Sequence, residues 1–335
     1  MRYACQALPQ EAFFLNQTIH LGGMHTRQHG MKVAHAGLDA EWRSGRANPR
    51  PPLPFLTQLP FVSQRQMPPL LPPDASPLIR ATGLRLAYPG KAGPVEVLAG
   101  LDWEVQRGRI TSLVGPSGCG KSSLLRLLCG VTPASGGVLR VDLPAKPSAR
   151  DLTVTFQTPT LLPWLTLEEN AWLPFQLSDQ SPTPQDHATL DFLLRTAGLE
   201  GVRPAYPHAL SGGMAMRAAV VRSFLPRPQL ILMDEPFAAL DEISRERMCQ
   251  LLERMWLESP VTVVFVTHNL SEAVLLSDRI TVLAAPGGRI VTEIDVPFAR
   301  PRSLALMREP AFLAIVGQLQ DAIRQAEEGA LSPRV

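Results

Sequence analysis

The stretch 115-GPSGCGKSS-123 follows the apolar run 110-ITSLV-114 and decides the fold. Gly115, four residues, then Gly120, Lys121 and Ser122 stand between a strand pattern and a helix pattern, the context this spacing requires. Glycines let successive backbone N–H groups turn inward as an anion-binding nest. The helix opening there adds the positive end of its dipole. Lys121 can reach the β- and γ-phosphates, and the Ser122 hydroxyl can ligate Mg²⁺. The candidate nucleotide-binding residues are therefore Gly115, Pro116, Ser117, Gly118, Cys119, Gly120, Lys121, Ser122 and Ser123. Cys119 reads as a small filler and not as a nucleophile. The loop is built to hold a nucleoside triphosphate.

The acidic half is 230-LILMDEP-236, a buried-strand pattern that ends in two carboxylates. Asp234 falls beside the metal and Glu235 within reach of a water. One can accept a bond from the metal's water while the other acts as general base. At 210-LSGGMAMR-217, Ser211, Gly212 and Gly213 open a further helix and again offer donors to phosphate oxygens. One chain already has its phosphate loop, so a second such surface calls for a second nucleotide. Two copies placed head to tail, each completing the other's site, satisfy both.

With these landmarks in order, residues 78 to about 295 resemble the ATP-binding-cassette (ABC) transporter ATPases. The resemblance implies an α/β P-loop NTPase cassette with a RecA-like core, an antiparallel β subdomain and a helical signature subdomain. It also assigns roles. Tyr88 resembles the aromatic that stacks on adenine. Gln157 resembles the glutamine that senses Mg²⁺ and γ-phosphate and touches the membrane partner. 210-LSGGM-214 is similar to the family signature, and Asp241 closes 238-AALD-241, which resembles the segment joining two cassettes. His268 in 265-FVTHNL-270 resembles the γ-phosphate histidine. Glu235, His268 and Gln157 are thus the catalytic candidates, and Ser122, Gln157 and Asp234 the metal candidates. Met214, Ala215 and Met216 depart from the more polar signature of many members, which bears on the rate of hydrolysis and not on nucleotide binding.

Composition agrees. Lys and Arg number 32 against 30 Asp and Glu, and residues 1–76 hold 7 and 4 of them, so the remainder is nearly neutral. Such a body lacks the basic footprint that a nucleic-acid backbone needs. The four cysteines have no paired spacing, which argues against a disulfide framework or a zinc knuckle. The longest apolar run is six residues, Ala311 to Val316, far short of the ~20 of a membrane helix. No export signal is visible, so a soluble protein that borrows its membrane is expected.

Three regions are expected. Residues 1–76 form a proline-rich, disordered extension, with ten prolines between Pro49 and Pro77. Its histidines His20, His25, His29 and His35 read as stray residues of a tail, with a metal site as the alternative, and Met67 is a conceivable start. Residues 77–300 form the cassette, with a helical subdomain at about 158–225, and residues 301–335 a closing helix and tail. Within the cassette, apolar runs at 78–88, 95–105, 110–114, 152–156, 230–233 and 261–266 read as strands, alternating with helices as in a mostly parallel α/β sheet. Leu190, Leu193, Leu194 and Ala197 share one helix face, as do Met248, Leu251, Leu252 and Met255. A last amphipathic helix carries Phe312, Ile315, Val316, Leu319 and Ile323 and is read as packing onto the body.

The stretch 156-FQTPTLLPWLTLEENAWLPF-175 is expected to offer an apolar groove to a short helix of a membrane partner. Its LLPWLT sequence and 297-PFARPRS-303 resemble the nitrate/sulfonate/taurine import branch, with thiamine-pyrimidine precursor importers as close relatives. The resemblance implies a cassette homodimer, transmembrane permease subunits and a periplasmic or lipid-anchored solute-binding protein. It places the chain peripherally on the cytoplasmic face of the membrane. The rival readings are a non-transport cassette ATPase and a P-loop small-molecule kinase. The kinase would have no use for Leu210–Met214 or Ala238–Asp241.

Overall fold

The computed structural model describes residues 76–90 and 93–331. The expectations for the proline-rich extension, its four histidines and Met67 lie outside the described residues.

Strands β1 (Ile79–Tyr88), β2 (Val95–Val105) and β4 (Gly136–Val141) form an antiparallel sheet in the order β2-β1-β4. The larger sheet runs β5 (Leu152–Thr155), β6 (Leu230–Asp234), β7 (Thr262–Val266), β3 (Ile110–Val114), β8 (Arg279–Leu283) and β9 (Ile290–Asp295). Its first five strands are parallel and β9 is antiparallel to β8. β4 and β9 alternate half-buried with exposed residues at sheet edges, so no apolar run marks them in the sequence.

The central strands are buried and mostly apolar because both faces are covered, with Thr111, Ser112, Thr262 and Thr281 as buried polar exceptions. On β6, Ile231 and Met233 face the core shared with the helices. Leu230 and Leu232 face a second core, built with the antiparallel sheet and helix α1 (Lys121–Leu128). Each fully buried side chain of this kind contributes about 1.5–3 kcal/mol.

Helices α2 (Leu167–Leu177), α3 (Pro184–Ala197) and α4 (Gly212–Phe224) stand together on one side, and α5 (Glu242–Glu258), α6 (Leu270–Leu276) and α7 (Pro310–Leu331) follow. α3 starts where 183-TPQD-186 directs: Thr183 and Asp186 form a reciprocal capping box, with Pro184 in the first turn. Its residues Leu190, Leu193, Leu194 and Ala197 are buried, as are Met248, Leu251, Leu252 and Met255 of α5. Phe312, Ile315 and Leu319 bury the inner face of α7. In the 297-PFARPRS-303 stretch, the Arg302 guanidinium donates to the carbonyls of Val274, Leu275 and Ser277, closing the C-terminal end of α6.

Candidate nucleotide site

In the order β6-β7-β3, the carboxyl ends of three parallel strands lie side by side. Each delivers one part of the site: Asp234 and Glu235 from β6, Thr267 and His268 from β7, and the 115–123 loop from β3.

Two of the loop's glycines sit where a side chain would crowd its neighbours. A Cβ on Gly115 would lie 2.4 Å from the Leu283 carbonyl oxygen of β8. Gly120 has φ 104°, and a Cβ there would lie 3.0 Å from Leu98 Cδ2 and 3.2 Å from the Val97 carbonyl oxygen. Helix α1 begins at once, with Lys121 as its first residue. The Lys121 ammonium is buried and donates to the carbonyls of Gly115 (2.8 Å) and Pro116 (3.0 Å). Cys119 is buried in the second core, which is the filler role expected of it. At the far end of α1, burial and then the nearby Asp234 charge push the Cys129 thiol up to about 12. It is no nucleophile at neutral pH.

Ser122 Oγ donates to Asp234 Oδ1 at 3.1 Å. Burial raises the Asp234 carboxyl above its usual range; the Ser122 bond opposes this and the Glu235 charge adds to it. Glu235 has φ 46°, a left-handed conformation uncommon for such a residue. Its N–H donates to the Val266 carbonyl at 2.9 Å, fixing the turn against β7. The turn brings Glu235 Oε2 to 3.1 Å from His268 Nδ1. The two carboxylates, the hydroxyl and the imidazole that sequence reading singles out are therefore gathered at one sheet edge. The arrangement can hold an anionic phosphate chain, bind a hard cation through oxygen, and accept a proton from water.

The other candidates lie around this centre. Tyr88 ends β1, half-buried, with a buried hydroxyl that has no hydrogen-bond partner among the described residues. Gln157 is exposed just beyond β5. Ser211 and Gly212 are exposed at the start of α4, where Ser211 Oγ accepts from the Met214 N–H at 3.3 Å. Asp241, also exposed, caps α5 by accepting from the Ser244 N–H at 3.0 Å; hydrogen bonding from the Ser244 side chain and then from its N–H lowers the carboxyl from the usual value. The two helix starts that the sequence reading assigns to phosphate, those of α1 and α4, thus belong to one chain.

The 156–175 stretch, read as one apolar surface, is divided by the structure. Trp172 lies within α2, 5.4 Å from Phe175 edge-on, while Trp164 is 68% exposed on the preceding loop. Pro174 is accommodated inside α2. Two polar side chains that sequence reading misses, one buried and one half-buried, hold the loop. Asn170 accepts from the Leu162 N–H (2.7 Å) and donates to the carbonyls of Leu162, Leu165 and Thr166. Arg222, on α4, donates to the Pro159 and Thr160 carbonyls and to Thr160 Oγ1, at 2.9–3.0 Å. The one available signal for Arg222 is a charge amid the apolar run 218-AAVVRSF-224.

Comparison with known proteins agrees with this geometry. The sequence model of the family described as ABC transporter matches residues 98–238. The aliphatic sulfonates import ATP-binding protein SsuB 2 of Burkholderia cenocepacia is 39% identical over 267 residues, covering 77% of this chain and 95% of that protein. The nitrate import ATP-binding protein NrtC of Synechococcus elongatus is 37% identical over 238 residues, covering 70% of this chain and 36% of that protein. Among solved structures, the dimeric ATP-binding cassette MJ0796, in a post-hydrolysis state bound to ADP and Pi, is 26% identical with a TM-score of 0.57. That match covers 66% of this chain and all of that one. The cbiO1 protein of Clostridium perfringens shares the fold at a TM-score of 0.58 and 22% identity, over 76% of this chain and 99% of that one. The chain belongs to the ABC transporter family: it is an ATP-binding cassette of the ATPase type, in the branch that contains the sulfonate- and nitrate-import ATP-binding proteins.

Proposed function

We propose that two copies of this cassette close on two ATP molecules and drive a transmembrane permease that imports a small sulfonate- or nitrate-like anion or a pyrimidine precursor. The observation that carries this reading is the presence of both helix starts on one chain. Lys121 and the loop N–H groups belong to the hydrolytic edge, while Ser211 and Gly212 face solvent at the head of α4. Each copy lends Ser211 and Gly213 to the γ-phosphate held by its partner. ATP contacts both halves only when they are closed, so its binding shifts the open–closed equilibrium.

Within each site, Lys121 and the nest N–H groups neutralise the phosphates. Glu235 takes the proton of the attacking water. His268, 3.1 Å from Glu235 Oε2, orients that carboxylate and faces the γ-phosphate. The residues fit Mg²⁺: a hydroxyl and a carboxylate oxygen 3.1 Å apart are hard donors, and a bound cation would offset the cost of burying the Asp234 charge. Ser122, Asp234 and Gln157 would hold it, and when bound it neutralises charge on the β- and γ-phosphate oxygens. Tyr88 would stack on the adenine.

The exposed Trp164 loop supports a membrane partner on the cytoplasmic face, and the names of the relatives support import with a solute-binding protein. No helix among the described residues is long and apolar enough to cross a membrane. The test of the paired site is sedimentation of Glu235→Gln with MgATP, alongside wild-type hydrolysis measured against protein concentration. A dimer and a concentration-dependent specific activity are expected. A strict monomer whose turnover is independent of concentration overturns the reading. Uptake of candidate sulfur, nitrogen and pyrimidine sources by cells carrying the chain and its permease identifies the cargo.

A further inference from the structure

A polar chain runs behind the hydrolytic pair and ends at the segment 238–241. Its hub is Arg245, in the first turns of α5. One terminal nitrogen donates to the Leu240 carbonyl at 2.9 Å and the other to Glu242 Oε2 at 2.6 Å. Nε lies 3.1 Å from Glu272 Oε1 as an ion pair without hydrogen-bond alignment, and this pair is largely shielded, with side chains 17% and 6% exposed. The second Glu272 oxygen accepts from Thr267 Oγ1 at 2.6 Å. Thr267 Oγ1 in turn accepts from the Asn269 N–H at 3.0 Å, and Asn269 Oδ1 accepts from the Glu272 N–H at 3.1 Å. Both chain neighbours of His268 are therefore fixed by Glu272, while the His268 side chain is 59% exposed and meets Glu235.

A shielded ion pair is a poor way to add stability. Desolvation consumes most of the attraction, and apolar residues of equal volume often serve as well or better. What this pair supplies is an electrostatic connection between two loops, with the directed hydrogen bonds at its ends, from Arg245 to the Leu240 carbonyl and from Thr267 to Glu272. We propose that Arg245 and Glu272 are positioning residues that tie the 238–241 segment to His268, so that seating of the second cassette against Asp241 sets the His268–Glu235 contact and with it the rate of hydrolysis. The inference rests on the two-cassette reading. Displacement of Leu240 pulls on the guanidinium fork, which moves Glu272 and the Thr267–Asn269 turn together. Neither residue touches nucleotide in this scheme.

The experiment uses full-length protein and four variants: Glu272→Gln, Arg245→Lys, Arg245→Ala and the apolar double replacement Arg245→Met/Glu272→Met. ATP affinity by calorimetry is expected to stay within about twofold of wild type. The kcat is expected to fall about tenfold, and its dependence on protein concentration to flatten. The double variant should fall no further than either single change, because residues acting through one connection are not additive. Arg245→Lys keeps the charge but cannot hold Leu240 and Glu272 at once, so it should fold well and still lose the concentration dependence. A role confined to packing would lower the melting temperature and leave kcat and its concentration dependence at wild-type values; that result in Arg245→Lys or in the double variant overturns the inference. If wild-type protein itself shows no concentration dependence, the two-cassette reading fails instead, and the two failures are distinct.

Discussion

The phosphate loop and the Trp164 loop are both irregular, proline-containing segments at strand ends, yet they are held in opposite ways. Residues 115–123 are shaped from within. Gly115 and Gly120 leave no space for a Cβ, and Lys121 folds back onto carbonyls five and six residues earlier. Residues 157–166 are shaped from outside, by Asn170 on α2 and by Arg222 on α4, some 62 residues away in sequence. Arg222 is a cation whose burial lowers it to about 10, and among the described residues it meets three oxygens of this loop with no carboxylate beside it. Thr160, which receives two of those bonds, has φ 46°, strained for a β-branched residue. A self-organised loop suits a ligand held in a fixed geometry. An externally braced loop moves with the helices that brace it, and α4 is the helix that begins at Ser211.

The largest effect that can test this contrast is at the self-organised loop. Lys121→Ala removes the only buried cation the loop carries and should abolish nucleotide binding by calorimetry while the fold survives. Retained affinity would mean the backbone nest alone suffices. Next comes Glu235→Gln, which keeps size and hydrogen bonding but removes the base. Hydrolysis should fall by about 10²–10⁴ with ATP binding intact. Normal turnover in single-turnover assays would take the proton to another group.

That contrast also explains what the sequence reveals. The phosphate loop is legible because its chemistry is written in nine consecutive residues, and no partner outside them is needed to recognise it. Asp234 and Glu235 are legible because they end a strand pattern. Arg222 and Asn170 are not, since their partners lie on another element and nothing in a periodicity distinguishes a bracing polar residue from a solvated one. The same holds for Arg245 and Glu272, which look like ordinary helix-surface charges until α5 and α6 are packed together. β4 and β9 escape notice for a related reason: edge strands with one wet face lack the continuous apolar run of the central strands.

At the braced loop the expected effects are on stability and coupling. Arg222→Met leaves three half-buried acceptors without their protein donor, each worth about 1 kcal/mol or less where water can replace it, so a loss of about 2 kcal/mol is expected from urea unfolding. Asn170→Ala should cost about 2 kcal/mol, since the Leu162 N–H and the Leu165 carbonyl lose their partner while the Leu162 and Thr166 carbonyls keep backbone donors. If either variant is as stable as wild type, the loop is not braced from outside and the contrast disappears.

The smallest effect on the isolated protein belongs to Trp164→Ala, and this is what makes it informative. The ring is 68% exposed, so its removal should shift folding stability by no more than about 0.5 kcal/mol. ATP binding and basal hydrolysis should also be unchanged, because the ring takes no part in the phosphate edge. A large aromatic side chain held out into water by a buried asparagine is, however, the kind of anchor that contributes most once an interface covers it. Reconstituted with its permease in vesicles, Trp164→Ala should therefore lose most of the permease-stimulated ATPase activity while the free cassette behaves as wild type. Equal stimulation of the two proteins would leave the bracing by Asn170 and Arg222 without the partner that gives it a purpose.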